Sequence, residues 1–370
     1  MNNSPSYIMD MTMNKKLLAL AISGAVFGTQ AVAVELYNED GTTFSVGGHV
    51  SVNVNGSEKD DASVGTNSPR INFNATQELG NGFTADAKGE WALNYLDGGD
   101  DTFTTRLGYV GLTHEEFGRA VAGTQWSPYY DVAAATDMPI AFANDFLYDN
   151  HGALGTGRAD KMVSYRNAFQ FGDAGEFSFG LGWQGDNTVT TDIYDDTDVN
   201  DIVHSRQTVD YGDRIQATLG YSIAGVKLGY AFNTGDFTEG GVSKTAESHL
   251  VSAAYGSYGS GLYLAGIYGF NENMNAGLVS GTTLEESNAY ELLAAYALAN
   301  SLNLSVNYEV VEGEVLKGGT TTTAREELAL QAEYNFTSNF VGYTGYQFDL
   351  NDETGYKSDD KWTLGARYYL

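Results

Sequence analysis

The fold is decided by residues 106–167, RLGYVGLTHEEFGRAVAGTQWSPYYDVAAATDMPIAFANDFLYDNHGALGTGRADKMVSYRN. At its two ends, RLGYVGL (106–112) and KMVSYRN (161–167) alternate small or polar residues with apolar ones. That is the period of a strand with two unlike faces. GRAVAGTQ (118–125) reads as a second short strand. Residues 126–160 then break the pattern for more than thirty positions, a length that in a compact domain means either function or disorder. The loop's Trp, Tyr, Phe and Met exclude disorder, and Pro128 and Pro139, two of the chain's four prolines, stiffen it. A long, aromatic, stiffened insertion between alternating strands is expected to fold into a barrel and narrow it.

Working outward, the same alternation recurs along the chain. Val50, Val52 and Val54 oppose His49, Ser51 and Asn53, while Ile71, Phe73 and Ala75 oppose Arg70, Asn72 and Asn74. Further on, Leu228, Tyr230 and Phe232 share a face, as do Leu302, Leu304, Val306 and Tyr308, and finally Trp362, Leu364, Ala366 and Tyr368. The partner faces read as polar throughout. Short Gly/Asn/Ser turns fall near residues 80–81, 118, 172–173, 224–225, 259–260, 299–300 and 338–339. Longer polar connections fall at 56–67, 95–102, 126–160, 185–212, 235–246, 271–287, 312–324 and 351–360. Seven short turns interleaved with eight long loops predict an all-β fold: a sixteen-stranded antiparallel transmembrane β-barrel, its long third loop folded into the lumen. In lipid every backbone group is paired within the closed sheet, so the apolar faces point outward. Tyr, Phe and Trp at the strand ends suit the interfacial girdles. Sixteen strands leave a lumen wide enough for water unless something fills it.

Composition agrees with this reading. The 370 residues carry 48 Asp and Glu against 19 Lys and Arg, for a net charge of −29. So acidic a chain argues against nucleic-acid partners. The absence of Cys excludes disulfides and thiolate metal sites. No run of ~18 apolar residues follows the N-terminus, so no helix is expected to span a bilayer. Residues 13–33 read as a cleavable secretory signal, with Asn14-Lys15-Lys16, an apolar core from Leu17 to Phe27 and Ala31-Val32-Ala33 in order. The expected division is therefore an extension and signal over 1–33 and a barrel over 34–370.

Three places carry a family resemblance. ELYNEDGTTFSVGGHV (35–50), RLGYVGL followed by Tyr130-Asp131 and TDMP (136–139), and Gly157-Arg158 with YRN (165–167) together resemble the general porins of Gram-negative outer membranes, the OmpF/OmpC type. The resemblance covers the whole chain after the signal. It implies a homotrimer of barrels in the outer membrane, in contact with lipopolysaccharide and lipid, each pore narrowed midway by its third loop and passing small hydrophilic solutes and ions. It further implies an eyelet in which a basic ladder faces acids on the loop. Arg70, Arg106 and Arg158 match the ladder arginines, and His49 stands where a lysine is usual. Asp137 and Asp145 match acidic positions of the loop. The family's prominent loop glutamate is replaced by Ala141, and the usual terminal Phe by Leu370.

Arg70 shares its face with Asn72 and Asn74, and His49 shares its own with Ser51 and Asn53, so both are expected to face the lumen without appeal to the family. Opposed charges across a narrow aqueous gap orient water and dipolar solutes. The acidity of the chain favours cations. A substrate-selective pore using Trp126, Tyr129, Tyr130, Phe142, Phe146 and Tyr148 as a stacking track is the alternative reading. A barrel enzyme is a third, but no Ser/His/Asp grouping stands out and no catalytic residue is expected. The five histidines are scattered, and Asp196-Thr197-Asp198-Val199-Asn200 lacks the later ligands of a calcium loop, so no metal site or cofactor is expected. The acidic run 192–201 reads as a solvated loop.

Overall fold

A computed structural model describes residues 33–96, 103–148, 150–194, 203–276, 283–353 and 355–370. The expected signal at 13–33 lies outside them except for Ala33, and most of the acidic run 192–201 lies outside as well. The strands are β1 (Val34–Glu39), β2 (Thr42–Ser57), β3 (Ser63–Gly65), β4 (Arg70–Gly80), β5 (Phe83–Leu93), β6 (Phe103–His114) and β7 (Gly118–Trp126). After a long connection come β8 (Arg158–Gln170), β9 (Glu176–Gln184), β10 (Asn187–Tyr194), β11 (Val203–Ile223), β12 (Val226–Glu239) and β13 (Val242–Ser257). The chain ends with β14 (Ser260–Glu272), β15 (Glu286–Ala297), β16 (Leu302–Glu314), β17 (Thr321–Asn335), β18 (Phe340–Asp349) and β19 (Lys361–Tyr369).

Short β1, β3 and β10 are additions along the edges of longer neighbours; the other sixteen pair antiparallel in a continuous series. The series closes where β19 meets β2, from Lys361 opposite Ser57 to Tyr369 opposite His49. The result is the sixteen-stranded barrel expected from the alternation.

Burial inverts that of a water-soluble protein. Leu364, Leu292 and Leu228 are 61%, 57% and 50% exposed, whereas Asn233 and Ser248 are fully covered. Only an apolar solvent outside and polar groups inside make that arrangement favourable. The partner faces are not polar throughout, however. Ala231, Leu250, Ile267, Ala289 and Val311 form an apolar patch on the inward side of β12–β16, under the long connection.

Two connections differ from expectation. Residues 235–246 are not a loop: β12 and β13 continue to a two-residue turn at Gly240-Gly241, with φ of 56° and 81°. Both central residues of this turn need positive φ, which glycine adopts without steric cost. Likewise 185–212 is mostly sheet, with β10 pairing β11 beyond the end of β9. The third connection is bounded at 127–157, because Trp126 pairs with Arg158 as the last rung of β7 and β8.

Candidate functional site: a charged constriction

The connection 127–157 begins with a capped turn, α1 (Pro128–Ala133). Ser127 accepts from the Tyr130 N–H at 3.1 Å, and Pro128 occupies a first-turn position where its missing N–H costs nothing. The buried face of α1 presents Tyr129, Tyr130 and Val132 to the apolar patch of β12–β16. Burial of each large side chain contributes roughly 1.5–3 kcal/mol. Near the other end, α2 (His151–Leu154) buries Ala153 and Leu154 against Tyr211, Phe237, Ala246 and Met274.

Between and beyond these anchors the segment is tied to one strand after another. Tyr129 shares a hydrogen bond with Ser248 (2.7 Å), Thr136 donates to Glu291, and Tyr263 donates to the Ala135 carbonyl (2.7 Å). The N–H groups of Ile140, Phe142 and Asp145 reach Glu333 (2.8 Å), Gln331 (3.0 Å) and Glu309 (2.6 Å). On the return, Asn233 donates to the Leu154 carbonyl (2.7 Å) and Gln216 to that of Gly155 (2.6 Å). These tethers come from covered faces of β11–β17; in addition Arg166 of β8 pairs with Asp131 and Gln184 of β9 donates to the Gly152 carbonyl.

Basic residues collect on the remaining strands. Arg106 Nε lies 2.9 Å from Glu90, with Arg70 at 3.8 Å and Lys88 at 3.6 Å from the same carboxylate. The Ser68 hydroxyl accepts from both Arg70 (2.9 Å) and Arg106 (3.2 Å). Arg106 is the extra residue of a bulge, since Glu90 pairs with Leu107 and Trp91 with Thr105. A bulge re-aims a side chain that simple alternation would turn the other way. Arg158 stacks over Trp126 at 5.8 Å, and its guanidinium donates to His151 Nε2 at 3.0 Å. Burial first and Arg158 second hold the His151 ring below the usual imidazole range, which keeps it a neutral acceptor.

Arg70, Arg106 and Arg158 thus share one polar side, with Lys88, Glu90 and Arg367 added. These three lay on polar faces in the sequence and needed only their strand parity to be found. Arg367 is held by Asn67 at 2.6 Å. His49 pairs with Arg70 in register but is 4% exposed, its ring edge-on to Tyr369 at 5.7 Å.

On the segment itself, Asp137 accepts from Tyr148 (2.6 Å) and Tyr130. Burial, helped by the nearby Asp145 charge, raises its carboxyl above the ordinary range, against the two tyrosine hydrogen bonds and a smaller opposing effect of Arg70. Asp145 is paired with Arg325, a residue the sequence did not single out. Ala141 lines a cleft of about 360 Å³ with Phe142, Asn53, Asn67 and Lys361. Tyr129, Tyr130 and Phe146 are buried in the apolar patch, so they pack the segment and offer no stacking face.

A closed antiparallel barrel, apolar outside and polar inside, with charged groups gathered on one interior side, defines the class of outer-membrane pores. The model of the Gram-negative porin family matches residues 17–369. The chain belongs to that family and is a β-barrel channel of the outer membrane. Outer membrane porin F of Salmonella typhimurium (strain LT2) is 27% identical over 385 residues, covering 96% of this chain and 99% of that protein. Outer membrane porin PhoE of Escherichia coli (strain K12) is 26% identical over 375 residues, covering 96% and 99%. Among solved structures, Salmonella typhi OmpF in complex with daunomycin superposes with a TM-score of 0.72 at 23% identity, covering 91% of this chain and all of that one. An anion-selective porin of Comamonas acidovorans gives 0.66 at 17% identity, covering 89% and 100%. At such identities the likeness is one of fold.

Proposed function

We propose that this porin is a general diffusion pore with a preference for cations, assembled as a homotrimer in contact with lipopolysaccharide and other outer-membrane lipid, with segment 127–157 folded into the lumen as its constriction. The observation that carries this reading is the bipartite interior: most tethers of the segment come from β11–β17, while Arg70, Arg106 and Arg367 stand on β4, β6 and β19 and Arg158 flanks the segment's far end at His151. Small hydrophilic solutes and ions would cross between the two, aligned by the transverse field. The charge of −29 concentrates cations at the mouths, and Asp137 supplies acid within the gap. The basic side moderates the preference without reversing it. Single-channel recording in a planar bilayer tests this. Saturable current blocked by an oligosaccharide would favour a substrate-selective pore instead. A reversal potential of anionic sign in a salt gradient would overturn the cation preference.

Two further outcomes follow. Unheated detergent samples are expected to migrate as a trimer and to collapse to the monomer on boiling; a species that is monomeric under all mild conditions refutes the assembly. Asp137→Asn is expected to reduce cation preference more than neutralising any single aspartate in residues 192–201, whose charges are screened beyond ~8 Å at physiological salt. Because the Asp137 carboxyl is raised, its charge appears as pH rises through a window above the ordinary ~3.9. Cation preference should therefore fall as pH is lowered through that window, and the Asp137→Asn pore should lack this component of the pH dependence. Identical pH profiles for the two pores would remove Asp137 from the gap.

A further inference from the structure

We propose that Arg325 is a specificity-determining residue of the pore, a cation on the acidic side of the gap that shields Asp145 and leaves Asp137 as the effective acid of the constriction. The inference rests on the reading that segment 127–157 lies in the lumen.

Arg325 stands near the start of β17, on the same strand face as Glu327, Gln331 and Glu333. Its guanidinium bridges two acids. One is Glu309 of β16, at 2.7 Å, and the other is Asp145 of the segment. The two acids are not equivalent. Glu309 has a side chain only 3% exposed, and its second oxygen accepts the Asp145 N–H at 2.6 Å. A buried carboxylate deprived of its cation is strongly destabilised, so the Glu309 bond fixes the position of Arg325. Asp145 is 52% exposed and Arg325 29% exposed, and their contact faces water. A passing ion therefore meets Asp145 already beside a fixed positive charge. Among the described residues Asp137 has no such partner within hydrogen-bond reach; its contacts there are the neutral hydroxyls of Tyr130 and Tyr148. Two acids share one cation, so the group keeps a net negative charge; its exposed member, Asp145, is ion-paired, and the remainder lies with Glu309, buried away from water.

The test must separate the charge of Arg325 from the ionisation of Glu309, so it is run in a Glu309→Gln background. There, adding Arg325→Gln removes one positive charge and nothing else titratable. At ~6 Å in water one unit charge changes the local cation concentration about threefold. The cation-to-anion permeability ratio in dilute salt is therefore expected to rise roughly two- to threefold. Asp145→Asn is expected to matter little while Arg325 is present and to lower the ratio by a similar factor once Arg325 is gone. Arg325→Lys, which keeps the charge, is expected to hold the parental ratio. Equal effects of Asp145→Asn with and without Arg325 would overturn the shielding, and a shift in Arg325→Lys as large as in Arg325→Gln would reduce the residue to packing. Asp137→Asn is the control for the underlying reading. If it shifts selectivity while the Arg325 series does not, only the role of Arg325 fails; if neither shifts, the placement of the segment fails.

Discussion

Replacing Arg106 and Arg158 together with alanine is expected to raise single-channel conductance and to strengthen cation preference more than any other pair of substitutions in this protein. The Arg106 guanidinium sits with Arg70 and Glu90, that of Arg158 lies against His151 at the far end of the segment, and together they carry two fixed positive charges. At ~6 Å in water each disfavours a cation by about 0.7 kcal/mol, so losing both changes the local cation concentration by up to about tenfold in dilute salt. Removing two long side chains also widens the passage. The consequences for Glu90 differ between the two sites. Arg106→Ala takes away its 2.9 Å partner, yet Arg70 and Lys88 remain within 3.8 Å and keep the carboxylate compensated. Arg158 leaves only His151 and Trp126 behind, so folding should tolerate both changes. Raising the salt to 1 M shortens the screening length to ~3 Å and should erase most of the selectivity change while leaving the conductance change. An unchanged reversal potential in dilute salt would place both arginines outside the narrowest section.

Ala141→Glu is expected to do the reverse to conductance: to narrow the passage and slow larger or anionic solutes. The neighbouring N–H groups of Ile140 and Phe142 both point to the wall, at Glu333 and Gln331. Ala141 stands between them in a bend of the chain. Ala141 lines the cleft with Asn53 and Asn67, and Asn67 is the residue that holds Arg367. A glutamate there would extend toward the basic side and add one acid where relatives of this family carry one. The native pore is expected to be at least as wide as theirs. If Glu at position 141 alters neither conductance nor reversal potential, position 141 does not face the gap. Asp145, the acid four positions on, is itself paired with Arg325.

Strand existence was legible because the lipid-facing side is predominantly apolar over the membrane crossings, as in Leu302, Leu304, Val306 and Tyr308. Above the membrane that constraint vanishes. GDFTEGGVSK (235–244) is polar on both faces, so a continuing hairpin was indistinguishable from a loop until Gly240-Gly241 was seen as its turn. The ladder positions of Arg70 and Arg158 followed from the family pattern. Arg106 faces inward only because of a bulge, which no alternation reveals. The aromatic residues of the segment misled in part, because packing rings and solute-stacking rings have the same composition. What separates them is the apolar patch of Ala231, Leu250, Ile267, Ala289 and Val311 inside the barrel, on faces expected to be polar. Arg325 escaped notice because it follows TTTA, which read as loop.

The tethers of segment 127–157 also dictate an order of events in time. Thr136 waits for a partner 155 positions later in the chain, and Phe142 for one 189 positions later. The seam between β2 and β19 joins Asn53 to Thr363, 310 positions apart. Contacts of such separation form slowly, since the entropy of closing the intervening chain is lost before they stabilise anything. The two ends of the segment find partners on β8, β9 and β11–β13, but its middle, residues 136–145, finds its own only on β15–β17. With the segment placed as proposed, a folding barrel would pass through a stage in which its walls are largely built and its passage is still unobstructed.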